Sequence, residues 1–178
     1  MLSRSFGQRA LSGLAIAGCI VGAIPTISLA QNSGLPGLTI FSGVKGEDSL
    51  GFRLDFGGRA NGWDRYRLRI PAKKMKLAVA QFAISYPDYY KGTFNPKAVE
   101  LRVQDKSVPL QEVNWRKEDN LIEIFPVDPV PANSKVEIWL EDVKNPSSGG
   151  MFYFNCQIMS PGDTPLLRYL GTWIISIS

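Results

Sequence analysis

Polar and apolar residues alternate with a period of two along most of this chain beyond residue 37. Successive side chains of a β-strand point to opposite faces, so the pattern predicts strands with one buried and one solvated face. Pairs such as Gly57-Gly58 and Asn145-Pro146 separate the alternating runs and predict turns. Short strands joined by turns are typical of an all-β protein, and we expect an Ig-like β-sandwich. The clearest alternating runs are residues 65–70, 99–104, 135–141 and 152–158.

Three further segments complete the predicted strand pattern. Residues 77–86 are apolar and rich in alanine, but their β-branched and aromatic members favour a central strand over a helix. Residues 118–120 read Glu-Asp-Asn and predict the tip of a hairpin. Residues 169–177 carry no charge, which predicts a last strand that ties the C-terminus into a sheet. We find no long amphipathic helix, internal repeat or second domain.

The first 30 residues have the layout of a secretory signal peptide. Arg4 and Arg9 form a short positive start, and residues 10–24 are apolar and uncharged. Ser28-Leu29-Ala30 then places small residues where a signal peptidase cuts. We therefore expect a mature chain of residues 31–178. Within it, residues 31–37 are a flexible lead-in and residues 38–178 form a single β-sandwich domain.

Two alternatives to simple cleavage stay open for this leader. Ile16-Ala17-Gly18-Cys19 also fits a lipoprotein cleavage box, after which Cys19 would carry a lipid. The second alternative is that the leader is not cleaved and anchors the chain. Beyond it, no apolar run reaches the roughly 18 residues that a membrane helix needs, so we expect no transmembrane span in the mature chain.

Charge and cysteine content limit what the mature chain binds. Without the leader it has 18 basic and 16 acidic residues, a net charge of +2, which argues against nucleic acid as a partner. Cys156 is then the one remaining cysteine, so no intramolecular disulfide can form. Its position in the alternation matches that of Phe152, Phe154 and Ile158. This predicts a buried thiol that acts as a small apolar side chain.

Histidine is absent from the whole chain. This removes the commonest general base at neutral pH and the commonest metal ligand, so we expect no catalytic residues, cofactor or metal. Oxygens of Asp142, Asn145 and Ser147 could hold calcium, but their spacing matches no known calcium loop. A hydrolase that uses carboxylates alone stays as an alternative. Against it, Glu137 and Glu141 would lie about 13 Å apart along a strand, too far to flank one glycosidic bond.

A run of positive charge is the most conspicuous polar feature, and we name it the basic ribbon. Its arginines alternate with apolar residues and therefore share one strand face. Such a patch would bind an acidic protein, an anionic lipid surface or an acidic envelope glycan. The alternative is a solvated outer face that pairs across strands with Asp55, Glu100 or Glu141. The basic ribbon consists of Arg65, Arg67, Arg69, Lys73, Lys74 and Lys76.

Aromatic residues provide a second candidate surface. Tyr86, Tyr89, Tyr90 and Phe94 surround a predicted turn, and Trp139 falls on the polar side of its strand. Tyr and Trp outside a core are favoured at interfaces, because they bury a large area with few torsions to fix. We take Tyr89, Tyr90 and Trp139 as candidate contacts for a protein or, by stacking, for a sugar. The alternative is that these rings cover a sheet edge or a loop.

A set of short motifs runs through the chain. They are Tyr66-Arg67-Leu68-Arg69-Ile70-Pro71, Phe94-Asn95-Pro96, Phe125-Pro126, Pro129-Val130-Pro131, Lys135-Val136-Glu137-Ile138, Asn145-Pro146, Gly149-Gly150, Tyr153-Phe154, Ser160-Pro161-Gly162 and Tyr169-Leu170-Gly171. Over most of residues 38–177 the chain resembles a family of exported cyanobacterial proteins classed as a domain of unknown function. The resemblance implies a cyanobacterial source and a site outside the cytoplasm, and it carries over no catalytic residue. Many family tails read Gly-Arg-Ile/Leu-His where this chain has Gly171-Thr172-Trp173-Ile174, so any role of that His is absent here.

Together these features predict a non-catalytic, exported binding or accessory module of the cyanobacterial envelope or thylakoid lumen. Its partner would be a protein or an anionic surface, and its location the periplasm, the thylakoid lumen or the cell surface. The alternatives are a glycan-binding module that uses exposed aromatic rings and a His-free hydrolase that uses carboxylates.

Overall fold

The structure, a computed structural model, describes residues 43–162 and 166–178. The predicted signal peptide, Cys19 and the lead-in at residues 31–37 lie outside the described residues. Among the residues that are described, no helical segment has the length and the apolar character needed to cross a membrane.

Strands make up almost all of the regular structure in the described ranges. Three single 3₁₀ turns, Gly46–Asp48, Ala72–Lys74 and Pro96–Ala98, connect some of them. The strands are β1 Phe52–Leu54, β2 Trp63–Ile70, β3 Gln81–Ser85, β4 Val99–Val103, β5 Lys106–Val108, β6 Leu110–Arg116, β7 Leu121–Pro126, β8 Val136–Lys144, β9 Gly150–Met159 and β10 Arg168–Ile177.

The strands form two five-stranded sheets in which all neighbours are antiparallel. The first sheet has the order β1-β2-β8-β4-β5, and the second has the order β10-β9-β3-β7-β6. Consecutive strands that share a sheet are neighbours in it, as β1 and β2 are, and between such pairs the chain crosses to the other sheet. The predicted all-β, Ig-like β-sandwich is confirmed.

The alternating runs of the sequence coincide with β2, β4, β8 and β9 to within three residues at either end. The apolar segment at residues 77–86 contains β3, which pairs with β7 on one side and with β9 on the other and is therefore a central strand, as predicted. The hairpin tip predicted at residues 118–120 joins β6 to β7. The last strand, β10, pairs with β9 along its length, so the C-terminus is tied into the second sheet.

The core lies between the sheets and follows directly from the alternation. On β2, Tyr66, Leu68 and Ile70 are fully buried, and across from them lie residues of the second sheet such as Trp173. The indole N–H of Trp173 donates to the backbone oxygen of Arg69 over 3.1 Å, which joins the two sheets through a hydrogen bond. Burying one large apolar side chain contributes roughly 1.5–3 kcal/mol, so this interior is the main source of stability.

Cys156 has the buried position on β9 that its alternation predicts. Its side chain is fully buried and not part of a disulfide. Burial disfavours the thiolate and raises the pKa of the Cys156 thiol above its usual value. At neutral pH the thiol therefore acts as a small apolar side chain of the core.

Candidate functional site

The three arginines of the basic ribbon project from β2 onto the outer face of the first sheet, as their alternation predicts. Each arginine forms an ion pair with an acid from another segment. Arg67 Nε lies 2.8 Å from Asp55 Oδ2, and Arg69 Nε lies 2.9 Å from Glu137 Oε1. Arg65 Nε lies 3.2 Å from Glu141 Oε1. This is the cross-strand pairing of the solvated-face alternative, and we name the surface the arginine face.

Asp55 is the acid around which much of this face is organised. Its carboxylate lies 3.1 Å from Arg53 Nε, 3.5 Å from Arg65 Nη1 and 2.8 Å from Arg67 Nε. Only 8% of its side chain is exposed. This shielded carboxylate holds the three guanidinium groups in place, since each of them has an acceptor within reach.

Asp64, the acid nearest to the arginines in sequence, does not neutralise them. Its buried carboxylate accepts hydrogen bonds from the backbone N–H groups of Phe56, Gly58 and Arg65 at 3.0, 2.7 and 2.8 Å. Asp64 therefore orders the loop that precedes β2.

Trp139 of β8 stands at the centre of the arginine face. Its ring centroid lies 4.1 Å from the guanidinium carbon of Arg67 on β2 and 4.6 Å from that of Arg102 on β4. The two guanidinium groups come from the two strands that flank β8. Guanidinium groups lie against this ring, so a sugar would have to displace them in order to stack on Trp139.

Glu137 connects Trp139 to the arginines. Its carboxylate accepts the indole N–H of Trp139 over 2.6 Å and the Nε of Arg69 over 2.9 Å. Burial favours the neutral acid, but these hydrogen bonds and the charges of Arg69 and Arg67 outweigh it and hold the pKa of Glu137 below its usual value. The carboxylate is therefore ionised at neutral pH and fixes the orientation of the indole.

The arginine face is rich in charge but nearly neutral. Its arginines supply five positive charges and its acids four negative charges, a net charge of +1. Of the three acids named for the solvated-face alternative, Asp55 and Glu141 pair with arginines of the ribbon and Glu100 pairs with Arg102. Glu137 is the partner that the sequence did not predict. The charged members are Arg53, Arg65, Arg67, Arg69, Arg102, Asp55, Glu100, Glu137 and Glu141.

The lysines of the basic ribbon lie beyond the end of β2, in and after a 3₁₀ turn. Lys74 Nζ pairs with Asp48 Oδ1 at 3.1 Å. Lys73 and Lys76 are exposed, and neither forms an ion pair within the described part of the chain. The structure thus divides the ribbon into three paired arginines, a paired Lys74 and two exposed lysines.

The tyrosines predicted at a surface turn have different positions. Tyr89 is 54% exposed, but Tyr90 is only 2% exposed and belongs to the core, so its assignment as a surface contact is corrected. Tyr90 packs edge-on against Phe152 and Phe154 with ring centroids 5.1 and 5.0 Å away. Gly92 makes room for the Tyr90 ring, because a Cβ at position 92 would lie 2.6 Å from ring carbons of Tyr90.

Hydroxyl groups inside this aromatic cluster form a buried relay. Tyr66 donates to Asn145 Oδ1 over 2.5 Å, so the 3.0 Å contact between the hydroxyls of Tyr66 and Tyr90 has Tyr90 as the donor. Asn145 in turn donates from Nδ2 to the backbone oxygen of Arg59 over 2.9 Å. Burial raises the pKa of both tyrosines above the usual value. The side-chain oxygen of Asn145, one of those considered as calcium ligands, thus accepts a hydrogen bond from Tyr66.

Sequence reasoning missed a concave site at the end of the arginine face. It has a volume of about 340 Å³ and is lined by Trp63, Thr93, Phe94, Asn95 and Asp142. Trp63 shares the outward alternation of Arg65, so its exposure could have been predicted. The contact between Asp142 and Asn95 could not have been predicted, because it depends on an irregularity in the pairing of β8 with β2. That irregularity leaves no clear signal in the sequence.

Comparison with known protein families identifies the family of this chain. Residues 38–177 match the family described as "Protein of unknown function (DUF2808)", and the chain belongs to this family. The match covers the range over which the motifs of the sequence resemble such a family. No curated protein matches the chain.

Several solved structures resemble this one at low sequence identity. A collagen-binding domain from a Staphylococcus aureus adhesin is 9% identical, with 72% of this chain and 95% of that chain covered and a TM-score of 0.43. The bacterial hydrophobin BslA is 11% identical, with 77% and 97% covered and a TM-score of 0.48. An immunoglobulin-like protein from Nocardia farcinica is 13% identical, with 73% and 98% covered and a TM-score of 0.37. Likenesses of this size say nothing about function.

Proposed function

We propose that this member of the DUF2808 family is an exported, non-catalytic binding module whose arginine face docks on a partner protein. We place it in the cyanobacterial envelope or the thylakoid lumen. The layout of residues 1–30 and the motifs of the mature chain support this location. The complete absence of histidine supports binding rather than catalysis, since histidine is the side chain best suited to proton transfer at neutral pH.

The observation that carries the proposal is the fixed Trp139 at the centre of the arginine face. Its ring lies within cation–π distance of the guanidinium groups of Arg67 and Arg102, and its N–H is bonded to Glu137. Trp and Arg are enriched among the residues that dominate protein–protein affinity. Because these side chains are already held in one arrangement, docking would cost less side-chain entropy than it does for free arginines.

Charge balance favours a protein over a polyanion. Five arginines and four acids share the face, so a partner with both signs of charge can form complementary pairs, whereas a polyanion would meet the carboxylates with repulsion. A near-neutral face also predicts that binding weakens only modestly as salt is raised. An anionic lipid surface or an acidic glycan would instead be released steeply by salt.

Retention of partners on the immobilised mature chain tests the face. We expect Trp139→Ala to weaken retention of a specific protein at least tenfold, about 1.4 kcal/mol, because loss of the ring frees the guanidinium groups of Arg67 and Arg102 at the centre of the face. Tyr153→Ala is the matched control, since Tyr153 is a partly exposed ring on the second sheet. Circular dichroism of each variant checks that folding is intact. The proposal is contradicted if the wild type and Trp139→Ala retain the partner equally. It is also contradicted if a modest increase in salt concentration releases the partner steeply.

Export is tested separately by cell fractionation and N-terminal sequencing of the natural protein. We expect the chain to be found outside the cytoplasm and to begin at Gln31, directly after Ala30. A chain that begins with a lipid-bearing Cys19 contradicts cleavage after Ala30. A cytoplasmic chain that retains residues 1–30 contradicts export altogether.

A further inference from the structure

We propose that the concave site around Trp63 binds a neutral oligosaccharide. This site goes beyond the protein-binding role of the arginine face, and the two can fail independently. The site lies at the start of β2 and the end of β8, and its volume of about 340 Å³ falls at the lower end of the range of roughly 300–1,000 Å³ found for ligand pockets.

Trp63 supplies the aromatic platform. It is the most exposed of the four tryptophans, with 62% of its surface accessible. The indole N–H groups of Trp115, Trp139 and Trp173 donate to Tyr86, Glu137 and the Arg69 backbone, whereas that of Trp63 makes no hydrogen bond within the described residues. An exposed ring with an unused donor offers an apolar surface for the C–H face of a sugar and a hydrogen bond for a hydroxyl.

A bulge in β8 brings a carboxylate to the same place. Asp64 pairs with Val143 and Tyr66 pairs with Leu140, so Arg65 opposes two residues of β8 instead of one. As a result Glu141 and Asp142 both point to the solvent side, and Asp142 adopts a positive φ of 51°. Bulges re-aim side chains and occur often beside functional sites. Here the bulge leaves Glu141 to pair with Arg65 and frees Asp142 for the pocket.

Asn95 and Thr93 complete the polar lining. Asn95 Oδ1 accepts the backbone N–H of Lys97 over 3.1 Å, and its Nδ2 lies 3.3 Å from Asp142 Oδ2. Thr93 is fixed to the end of β8 by backbone hydrogen bonds of 2.9 and 3.0 Å with Lys144. Among the described residues, no partner is bonded to the second carboxylate oxygen of Asp142 or to the second N–H of Asn95. An acceptor and a donor side by side match the vicinal hydroxyls of a sugar.

The charge of the site favours a neutral ligand. The ammonium group of Lys144 lies 5.4 Å from the Trp63 ring centroid and donates to the backbone oxygen of Asn61 over 2.5 Å. It balances the carboxylate of Asp142, so neither an anion nor a cation gains net attraction. The open form of the pocket, with Trp63 at its rim, suits one unit of a longer chain better than an enclosed small molecule.

The test is a titration of the mature chain, labelled with ¹⁵N at tryptophan, and observed through its four indole N–H signals. The probes are four neutral hexasaccharides: cellohexaose, mannohexaose, maltohexaose and hexa-N-acetylchitohexaose. Loss of one signal in Trp63→Phe assigns the Trp63 resonance. We expect at least one probe to shift this signal progressively and saturably while the signals of Trp115, Trp139 and Trp173 stay in place.

Variants confirm the assignment of the site. We expect Trp63→Ala and Asp142→Asn each to weaken saccharide binding about tenfold or more. Asn tolerates a positive φ, so Asp142→Asn should keep the bulge. Tyr153→Ala and Asp119→Asn, an exposed ring and an exposed acid elsewhere, should bind as the wild type does. Trp139→Ala should also bind normally, which separates this site from the arginine face.

Three results would overturn the assignment. The first is that none of the four hexasaccharides shifts the Trp63 signal at millimolar concentration. The second is that Asp142→Asn and Trp63→Ala bind a hexasaccharide as tightly as Tyr153→Ala does. The third is that choline chloride shifts the Trp63 signal as strongly as any saccharide, which would mark a cation site instead.

Discussion

Removing one hydroxyl from the buried relay should destabilise the protein more at Tyr66 than at Tyr90. Tyr66 donates to Asn145 Oδ1 and accepts from Tyr90, whereas Tyr90 donates only to Tyr66. Tyr66→Phe therefore leaves the buried Asn145 oxygen without its donor and the Tyr90 hydroxyl without its acceptor. A buried polar group left unpaired costs about 1–3 kcal/mol, and we expect a loss in that range. In Tyr90→Phe the hydroxyl of Tyr66 still donates to Asn145, so the substitution should cost one ordinary hydrogen bond, about 0.5–1.5 kcal/mol.

Urea unfolding of the mature chain, followed by circular dichroism at pH 7, measures this difference. Tyr153→Phe is the control, because it removes a hydroxyl from a partly exposed ring on the outer side of β9 and should leave the free energy of unfolding unchanged. Equal slopes with denaturant across the variants are required, so that the midpoints report stability. If Tyr66→Phe proves no more destabilising than Tyr90→Phe, the direction assigned to the relay is wrong.

Three further outcomes follow from the charges and hydroxyls. Burial raises the pKa of Tyr66 and Tyr90, so the free energy of unfolding should keep its full value below about pH 10. Above that pH it should fall by about 1.4 kcal/mol per pH unit for each tyrosine, and urea titrations should show a shallower fall in Tyr66→Phe. Asp64→Asn places an N–H₂ group against backbone donors and should cost about 2 kcal/mol or more by urea unfolding, and a neutral effect would contradict the loop-ordering role. Because the pKa of Glu137 is lowered, the Glu137 carboxylate should contribute its full stabilisation above about pH 4.3 and lose it as the pH falls through the lowered pKa. If the free energy of unfolding of Glu137→Gln depends on acid pH just as that of the wild type does, this reasoning is refuted.

The sequence predicts the faces of strands better than it predicts their neighbours. The alternation of Arg65, Arg67 and Arg69 places all three on one outer face, as found. Their partners come from β8 and from the end of β1, because β2 lies between those strands in the sheet. Glu137 is 68 residues from Arg69, and no local pattern reports that register. The neutral character of the face is therefore a property of topology.

Tyr90 and Asp142 show two other limits of sequence reasoning. Tyr90 lies in a polar segment rich in turn residues, but that segment packs its ring against Phe152 and Phe154 of β9. Burial of a loop ring depends on such long-range contacts and on the space left by Gly92. Asp142 reaches the Trp63 pocket because a bulge shifts the alternation of β8 by one residue, and strict alternation would turn it inward.

Site-specific photo-cross-linking in living cells tests the binding role of the arginine face most directly. The side chain of Arg53 is 61% exposed at the edge of that face, so p-benzoylphenylalanine in its place should report contacts without removing Trp139. The same amino acid in place of Asn114, on the outer side of β6 in the second sheet, is the control. We expect position 53 to give a discrete protein adduct that disappears when Trp139→Ala is added, and position 114 to give none. An adduct from position 114 alone, or one from position 53 that survives Trp139→Ala, would contradict the proposed role of this face.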